Sequence, residues 1–323
     1  MDKDYILLSE PNTSIEPELV ASFPLSDASP KDKPWDSHRK NADKVGEMYS
    51  QLEYNRYSER ISDCSQRLGF ALQRCESTGE LQFRLQSAKF CRVRLCPVCQ
   101  WRRSLMWRAR FFKAMPKLLE AHPKANFIFL TLTVKNCPVE ELKATIGAMN
   151  QAWHRLIKRK AFPADGWVKS VEITRGKDGL AHPHFHAVLM VKPSYFSGSS
   201  YLSQAKWTEL WRSSLRIEYT PVVNVKVVKG KTIEDGIAKA LCETLKYSVK
   251  EGDLTVDRDW LEAITNQLHK TRAIAIGGIF KDYLSEEEPE DLIHAEDEIP
   301  ESSKDDPTFY FGWRENLKRY MSE

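Results

Sequence analysis

Three histidines alternate along Ala181-His182-Pro183-His184-Phe185-His186-Ala187-Val188-Leu189-Met190. In a strand, every second side chain points to the same face, so these imidazoles project together while Phe185, Ala187 and Leu189 face a core. A buried sheet gains nothing from a row of imidazoles, and a bound ion or phosphate accounts for them. Just upstream, Val168-Lys169-Ser170-Val171-Glu172-Ile173 reads as a second strand, joined to the first through the turn residues Arg175-Gly176-Lys177-Asp178-Gly179. Val171 and Ile173 face one side and Glu172 the other. A carboxylate beside His184 and His186 makes a two-histidine, one-carboxylate site with open positions. That donor set suits Mg²⁺ or Mn²⁺ acting as a Lewis acid on a phosphodiester. The competing reading makes Glu172 and the histidines ordinary surface residues.

Farther along, Cys242-Glu243-Thr244-Leu245-Lys246-Tyr247-Ser248-Val249-Lys250 reads as the end of a helix. Residues three and four apart share a helix face, so Glu243, Tyr247 and Lys250 line up. A salt-bridge ladder would look the same. The chemical reading is a nucleophilic tyrosine, with a carboxylate to handle protons and a cation to hold phosphate. A phenol with a pKa near 10 attacks poorly at neutral pH, so it needs a polarised phosphate and a neighbouring ammonium.

A third constellation is Cys91-x₄-Cys96-Pro97-Val98-Cys99, followed by Trp101-Arg102-Arg103-Ser104-Leu105-Met106-Trp107-Arg108-Ala109-Arg110. The Cys-Pro-x-Cys knuckle lets two thiolates reach one ion, as in tetrahedral Zn²⁺ sites. Cys91 is the natural third ligand, and either Cys64 or Cys75 supplies the fourth. Four thiolates close the shell, which makes the role structural. The helix that follows could present Arg102, Arg103, Arg108 and Arg110 to phosphates, with Trp101 and Trp107 packed inward.

The elements that must position these groups follow from periodicity. Residues 1–36 are rich in Ser, Pro and Asp and read as disordered. A polar helical pattern from Ser37 to Leu72 leads into the cysteine-rich basic module, giving a unit over 37–121. From residue 127 to 284 strands alternate with helices: Phe127–Val134 is a strand, Pro138–Lys160 a helix, Trp167–Thr174 and His184–Val191 a hairpin. A second helix covers Leu202–Arg216, a fourth strand Val222–Val228 and a third helix Ile233–Lys250. The order β-α-β-β-α-β-α implies an α+β unit, an antiparallel sheet with helices on one face. Residues 285–323 read as an acidic, mostly disordered tail. Its aromatic segment Phe309-Tyr310-Phe311-Gly312-Trp313 either packs back on the body or engages a partner.

Charge points to the partner. The net charge of the 323 residues is only +3, but residues 285–306 hold eleven acids and one Lys, leaving 47 bases against 34 acids elsewhere, or +13. Between Leu81 and Leu119 lie ten Lys and Arg and no acid. Such a stripe marks a polyanion-binding surface, and nucleic acid is the expected partner. No apolar run approaches the roughly 18–20 residues of a membrane helix. The N-terminus lacks a signal-peptide pattern, and seven cysteines in an unexported chain argue for reduced thiols and a metal. A cytoplasmic protein without membrane partners is expected.

Together, Phe129-Leu130-Thr131-Leu132-Thr133, His182-Pro183-His184-Phe185-His186 and Glu243-Thr244-Leu245-Lys246-Tyr247-Ser248-Val249-Lys250 resemble, in order and spacing, the rolling-circle plasmid replication initiators of the HUH endonuclease superfamily. The resemblance covers residues 60–284 and makes His184 and His186 metal ligands. It matches Tyr247 and Lys250 to the family's Tyr-x-x-Lys, and Glu243 to the glutamate that activates water in the single-tyrosine subgroup. The related initiators share the cysteine cluster, with an upstream Cys at the position of Cys64. An HUH- or RRM-like sheet is implied, as is nicking of plasmid origin DNA, single- or double-stranded. Tyr247 would be linked to the 5′ phosphate and a 3′ hydroxyl would prime synthesis, with a host helicase and DNA polymerase as partners in a bacterial cytoplasm. Two rivals remain. The His-hydrophobic-His run also fits histidine-triad nucleotide hydrolases, in which His184 would be the nucleophile. A non-catalytic zinc-dependent DNA-binding regulator would account for the cysteines and charge alone.

Overall fold

The structure, a computed structural model, describes residues 22–74, 79–197, 200–246, 248–285, 292–293 and 307–323. The chain runs through α1 (Leu25–Ala28), α2 (Pro34–Gln51) and α3 (Asn55–Ser62) into strands β1 (Arg67–Arg74) and β2 (Leu81–Ala88), then the long α4 (Pro97–Ala121). Next come β3 (Asn126–Thr133), α5 (Leu142–Ile157), β4 (Ala164–Arg175), β5 (Ala181–Val191), α6 (Gln204–Leu215), β6 (Val223–Val227) and α7 (Ile233–Thr244). The last elements are α8 (Glu251–Leu254), α9 (Arg258–Leu268), β7 (Ile274–Gly278), β8 (Thr308–Arg314) and β9 (Arg319–Ser322).

Two antiparallel sheets organise these elements, with orders β6-β3-β5-β4-β7 and β2-β1-β8-β9. The α+β class and the order from β3 to α7 are those expected. The helices, however, cover both faces of the five-stranded sheet rather than one. Odd-numbered β5 residues Phe185, Ala187 and Leu189 pack with Trp153 of α5 and with Trp207 and Trp211 of α6. Even-numbered Val188 and Met190 pack with Trp107, Phe111 and Met115 of α4 and with Ile237 and Leu241 of α7. The basic helix, expected in a separate module, closes the second core with its apolar side, so the sheet is buried twice over.

Several boundaries move for packing reasons. Residues 22–36 are ordered: Leu25 and Trp35 are buried, and Trp35 stands edge-on to Trp101, ring centroids 4.8 Å apart. The helical reading of residues 37–72 fails at its end, because Leu68 and Phe70 alternate into the core of β1. The aromatic C-terminal segment packs back on the body. β8 pairs with β1, and Phe311 and Tyr320 are fully buried. Residues 1–21 and most of the acidic stretch (286–291 and 294–306), for which disorder is expected, lie outside the described residues.

The third helix ends at Thr244, not at Lys250. Leu245 and Val249, four residues apart, would share a face in a continuing helix. Instead Leu245 lies in the core on the α7 face and Val249 in the core on the opposite face. Burying an aliphatic side chain is worth about 1.5–3 kcal/mol, against at most ~0.7 kcal/mol per residue of helix propensity. The chain therefore leaves the helix and passes the sheet edge, where Val249 bridges Ile173 in parallel and the Ile173 amide donates to Ser248 O at 2.8 Å.

Candidate active site

β4 and β5 pair in a register that sets Glu172 directly opposite His184 and Ser170 opposite His186. All three site residues point to the α4/α7 face, near the end of the sheet that leads to the hairpin turn. One carboxylate oxygen, Glu172 Oε2, lies 2.8 Å from His186 Nε2 and 3.0 Å from His184 Nε2. The rings stand nearly perpendicular, 89° apart, with centroids 4.7 Å from each other. The far nitrogens have partners too: His184 Nδ1 is 3.3 Å from His182 O, and His186 Nδ1 is 3.2 Å from Thr131 Oγ1 across the β3–β5 ladder. Both Nδ1 atoms thus have oxygen partners that would accept N–H once the Nε2 atoms, which face Glu172, ligate a metal.

Glu172 is only 4% exposed. Burial works against its charge, but hydrogen bonds with His184 and His186 and the positive charge of Lys246 overcome it and hold the carboxyl well below the usual range. A carboxylate kept ionised in a buried place, faced by two imidazoles, fits a hard or borderline divalent cation such as Mg²⁺ or Mn²⁺. His182 does not join the group. Its Nδ1 meets Asn136 Oδ1 at 2.5 Å, and burial pushes its pKa down.

The sequence reading passed over Lys246. Its Nζ lies 3.2 Å from Glu172 Oε2 and 2.6 Å from Glu243 Oε1, joining the two carboxylates. Burial opposes its charge, yet the two glutamates hold its pKa above the ordinary lysine value. Glu243 is exposed at the end of α7, and Lys250 is exposed where α8 begins. Because α7 stops at Thr244, the expected stripe of Glu243, Tyr247 and Lys250 on one helix does not form. Tyr247 itself lies outside the described residues. Its neighbours are fixed: Lys246 at Glu172, and Ser248 by its backbone to β4 and by its hydroxyl to Gln100 Oε1 at 3.3 Å. A helical pattern could not reveal Lys246, since the break at Leu245 is what turns it toward the sheet.

The cysteines converge as expected, with Cys64 in the fourth place. The Sγ atoms of Cys91 and Cys99 are 3.5 Å apart, Cys64 and Cys99 3.7 Å, and Cys64 and Cys96 3.8 Å. A tetrahedron with metal–sulfur bonds of about 2.3 Å has edges of about 3.8 Å, so the four sulfurs fit Zn²⁺. Backbone amides support them: Cys91 N–H points to Cys64 Sγ and Arg92 N–H to Cys99 Sγ. All four residues are buried. Cys75 lies outside the described residues.

The arginines of α4 divide. Arg102 is 2% exposed, donates to Leu292 O at 2.8 Å and Ile293 O at 2.6 Å, and lies against Trp35 and Trp101, so it serves packing and cannot reach DNA as placed. Its long aliphatic stem fits an aromatic slot that a sequence stripe does not disclose. Arg103, Arg108 and Arg110 are half-buried. Arg108 donates to Ser104 and to Cys242 Sγ, and Arg110 lies over the Trp107 ring.

Comparison with known proteins points one way. The family described as Replication protein matches residues 82–321. Similar proteins include a Protein rep of Streptococcus pneumoniae serotype 2 (strain D39 / NCTC 7466), 36% identical over 286 residues, covering 85% of this chain and 87% of that protein. A Protein rep of Bacillus amyloliquefaciens is 34% identical over 328 residues, covering 91% of this chain and 95% of its own length. One from Lentilactobacillus hilgardii is 32% identical over 283 residues, covering 83% and 88%. No solved structure matches.

Proposed function

This chain belongs to the replication-protein family, and on that premise we propose that it initiates plasmid replication by the rolling-circle route, as an HUH-type, single-tyrosine endonuclease. Its substrate is one strand of origin DNA, and it acts in the bacterial cytoplasm beside a host helicase and polymerase. The observation that carries this reading is the placement of Lys246 and Ser248 beside the His184, His186 and Glu172 group. These two residues, on either side of Tyr247 in the sequence, are bound to Glu172 and to the neighbouring strand residue Ile173.

His184, His186 and Glu172 would hold the divalent ion, which supplies Lewis-acid polarisation of the scissile phosphate. Tyr247 Oη attacks phosphorus as the bond to the 3′ oxygen breaks, and the phenolic proton ends on that oxygen as the 3′ hydroxyl. Lys246 and Lys250 lie close in sequence to the phenol, where ammonium groups stabilise the negative charge of the phosphate in flight. In a second cut Glu243 accepts a proton from water as the water oxygen attacks phosphorus, the bond to the 3′ oxygen breaks, and that oxygen takes up a proton, leaving a 3′ hydroxyl and a 5′ phosphate. The tyrosyl phosphodiester conserves the bond energy, so rejoining by a 3′ hydroxyl needs no nucleotide cofactor. Zn²⁺ at Cys64, Cys91, Cys96 and Cys99 is structural.

The test is incubation with Mn²⁺ and single-stranded origin DNA, followed by a denaturing gel. A covalent protein–DNA adduct that persists in SDS is expected, absent in Tyr247→Phe although that variant still binds DNA. Binding without any adduct would identify a regulator, and phosphate release from nucleotides that depends on His184 without Tyr247 would identify a nucleotide hydrolase; either result overturns the proposal.

A further inference from the structure

A groove of about 480 Å³ runs between the cysteine cluster and the edge of the five-stranded sheet. One wall comes from the cysteine segment and the first turns of α4, with Arg92, Arg94 and Arg103. The other comes from the turn between α9 and β7, with Lys270 and Arg272. Lys246 lines the same groove, and its Nζ reaches Glu172 Oε2 at 3.2 Å. Among the described residues, six cations line it and no Asp or Glu does.

The walls are built rather than incidental. Arg92 has a positive φ of 56°, a strained conformation for a side-chain-bearing residue, and its amide is held by Cys99 Sγ. Arg103 donates to the carbonyls of Arg92 at 3.0 Å and Arg94 at 3.4 Å, and Arg94 donates to Thr271 O at 2.6 Å across the groove. Arg103 is thereby fixed by bonds to neutral carbonyls, which leave its charge in place. Gln100, 5% exposed, lines the groove and accepts from Ser248 Oγ, while its Nε2 has no partner among the described residues. A buried amide donor without a partner is unfavourable, and a bound acceptor would relieve it.

We propose that this groove holds the sugar-phosphate backbone of a single DNA strand adjoining the phosphate to be cut, so that the zinc-binding cluster is a wall of the substrate site. The proposal rests on the nicking reading for what lies at its end, but the groove's own chemistry, convergent cations with one orphaned donor, calls for a polyanion. Its volume lies within the ~300–1,000 Å³ of sites for small ligands, which admits a nucleotide or two of a single strand.

The experiment titrates the full-length, zinc-loaded protein against fluorescein-labelled dT₂₀ by anisotropy, from 50 to 300 mM NaCl and without Mg²⁺ or Mn²⁺. Lys270→Ala/Arg272→Ala, both exposed positions, and Arg103→Gln, on the opposite wall, are each expected to weaken binding roughly tenfold. The double variant should also lower the salt slope by about 1.4, near 0.7 for each phosphate no longer neutralised. The comparator Lys113→Ala/Lys117→Ala, farther along α4, should stay within twofold. Zinc content and melting temperature check that each variant is folded. Groove variants within twofold of the parent overturn the proposal, as does an equal loss in the comparator, which would mean that overall charge alone is being read. The Tyr247 adduct is scored separately with Mn²⁺. Groove-dependent binding with no adduct in any variant sinks the nicking reading and supports the groove. A normal adduct with groove-independent binding does the reverse.

Discussion

Lys246 Nζ stands 3.2 Å from Glu172 Oε2, the same oxygen that faces His184 and His186. A metal ion entering between the imidazoles must share that oxygen with an ammonium. A unit charge at about 4 Å is worth up to ~4 kcal/mol at an effective dielectric of ~20, and because Lys246 is about one-third exposed, solvent reduces this to the order of 1 kcal/mol. Lys246→Met is therefore expected to bind Mn²⁺ about fivefold more tightly by calorimetric titration, while Glu172→Gln binds at least tenfold more weakly. Unchanged affinity in Glu172→Gln would remove that residue from the ligand set.

The fourth cysteine gives a clean contrast. Cys64 Sγ completes the tetrahedron, so Cys64→Ser and Cys96→Ser should lose the single zinc per chain, and Cys75→Ser should keep it. The buried cluster joins β1 and α4 to one core, so its loss should lower the melting temperature by roughly 10 °C or more. Elemental analysis and a thermal melt on the same samples decide it.

Much of this site was legible in the sequence because it rests on short-range rules. Alternation in β5 placed His184 and His186 on one face, and the glycine-containing turn brought Glu172 to the same face. The Cys-Pro-x-Cys spacing announced the four-cysteine cluster. What escaped depends on contacts between distant segments. The helical pattern through Lys250 is real as far as Thr244, but the pull of two separate cores on Leu245 and Val249 ends it, and only that break delivers Lys246 to Glu172. Arg102 looked like its neighbours because its aromatic slot is made by Trp35, some 67 positions earlier in the chain. The strands β1 and β8 each have a local hairpin partner, β2 and β9, but the pairing that joins the two hairpins into one sheet spans most of the sequence.

Glu243 is exposed and tied to Lys246 rather than to the histidines, so it stands apart from the metal ligands. A group so placed can serve a later water attack without being needed for the first phenol attack. Glu243→Ala should form the Tyr247 adduct at a rate within about threefold of the parent and lose roughly 10²-fold in the second, hydrolytic cut. Single-turnover and multiple-turnover nicking assays separate the two. Loss of the first adduct would give Glu243 a different role.

Lys169 offers a test of the fold that does not involve the metal. Its side chain is 4% exposed, its Nζ donates to Asn150 Oδ1 at 2.8 Å and sits 3.7 Å from the centre of the Phe185 ring. Burial pushes its pKa down to about 7 from an ordinary 10.5. Between those values the unfolded chain holds a proton that the folded chain has released, so stability must rise with pH across the window from about 7 to 10.5. The slope approaches ~1.4 kcal/mol per pH unit in the middle of that window. Below about pH 7 both states are protonated and the cost of burying the charge is fully present. Lys169→Met removes the group, and urea unfolding from pH 7 to 9.5 should then show a flatter profile than the parent and a higher midpoint at pH 7. A parent and variant with parallel profiles would mean that Lys169 keeps its proton in the folded protein, held by Asn150 and the Phe185 ring.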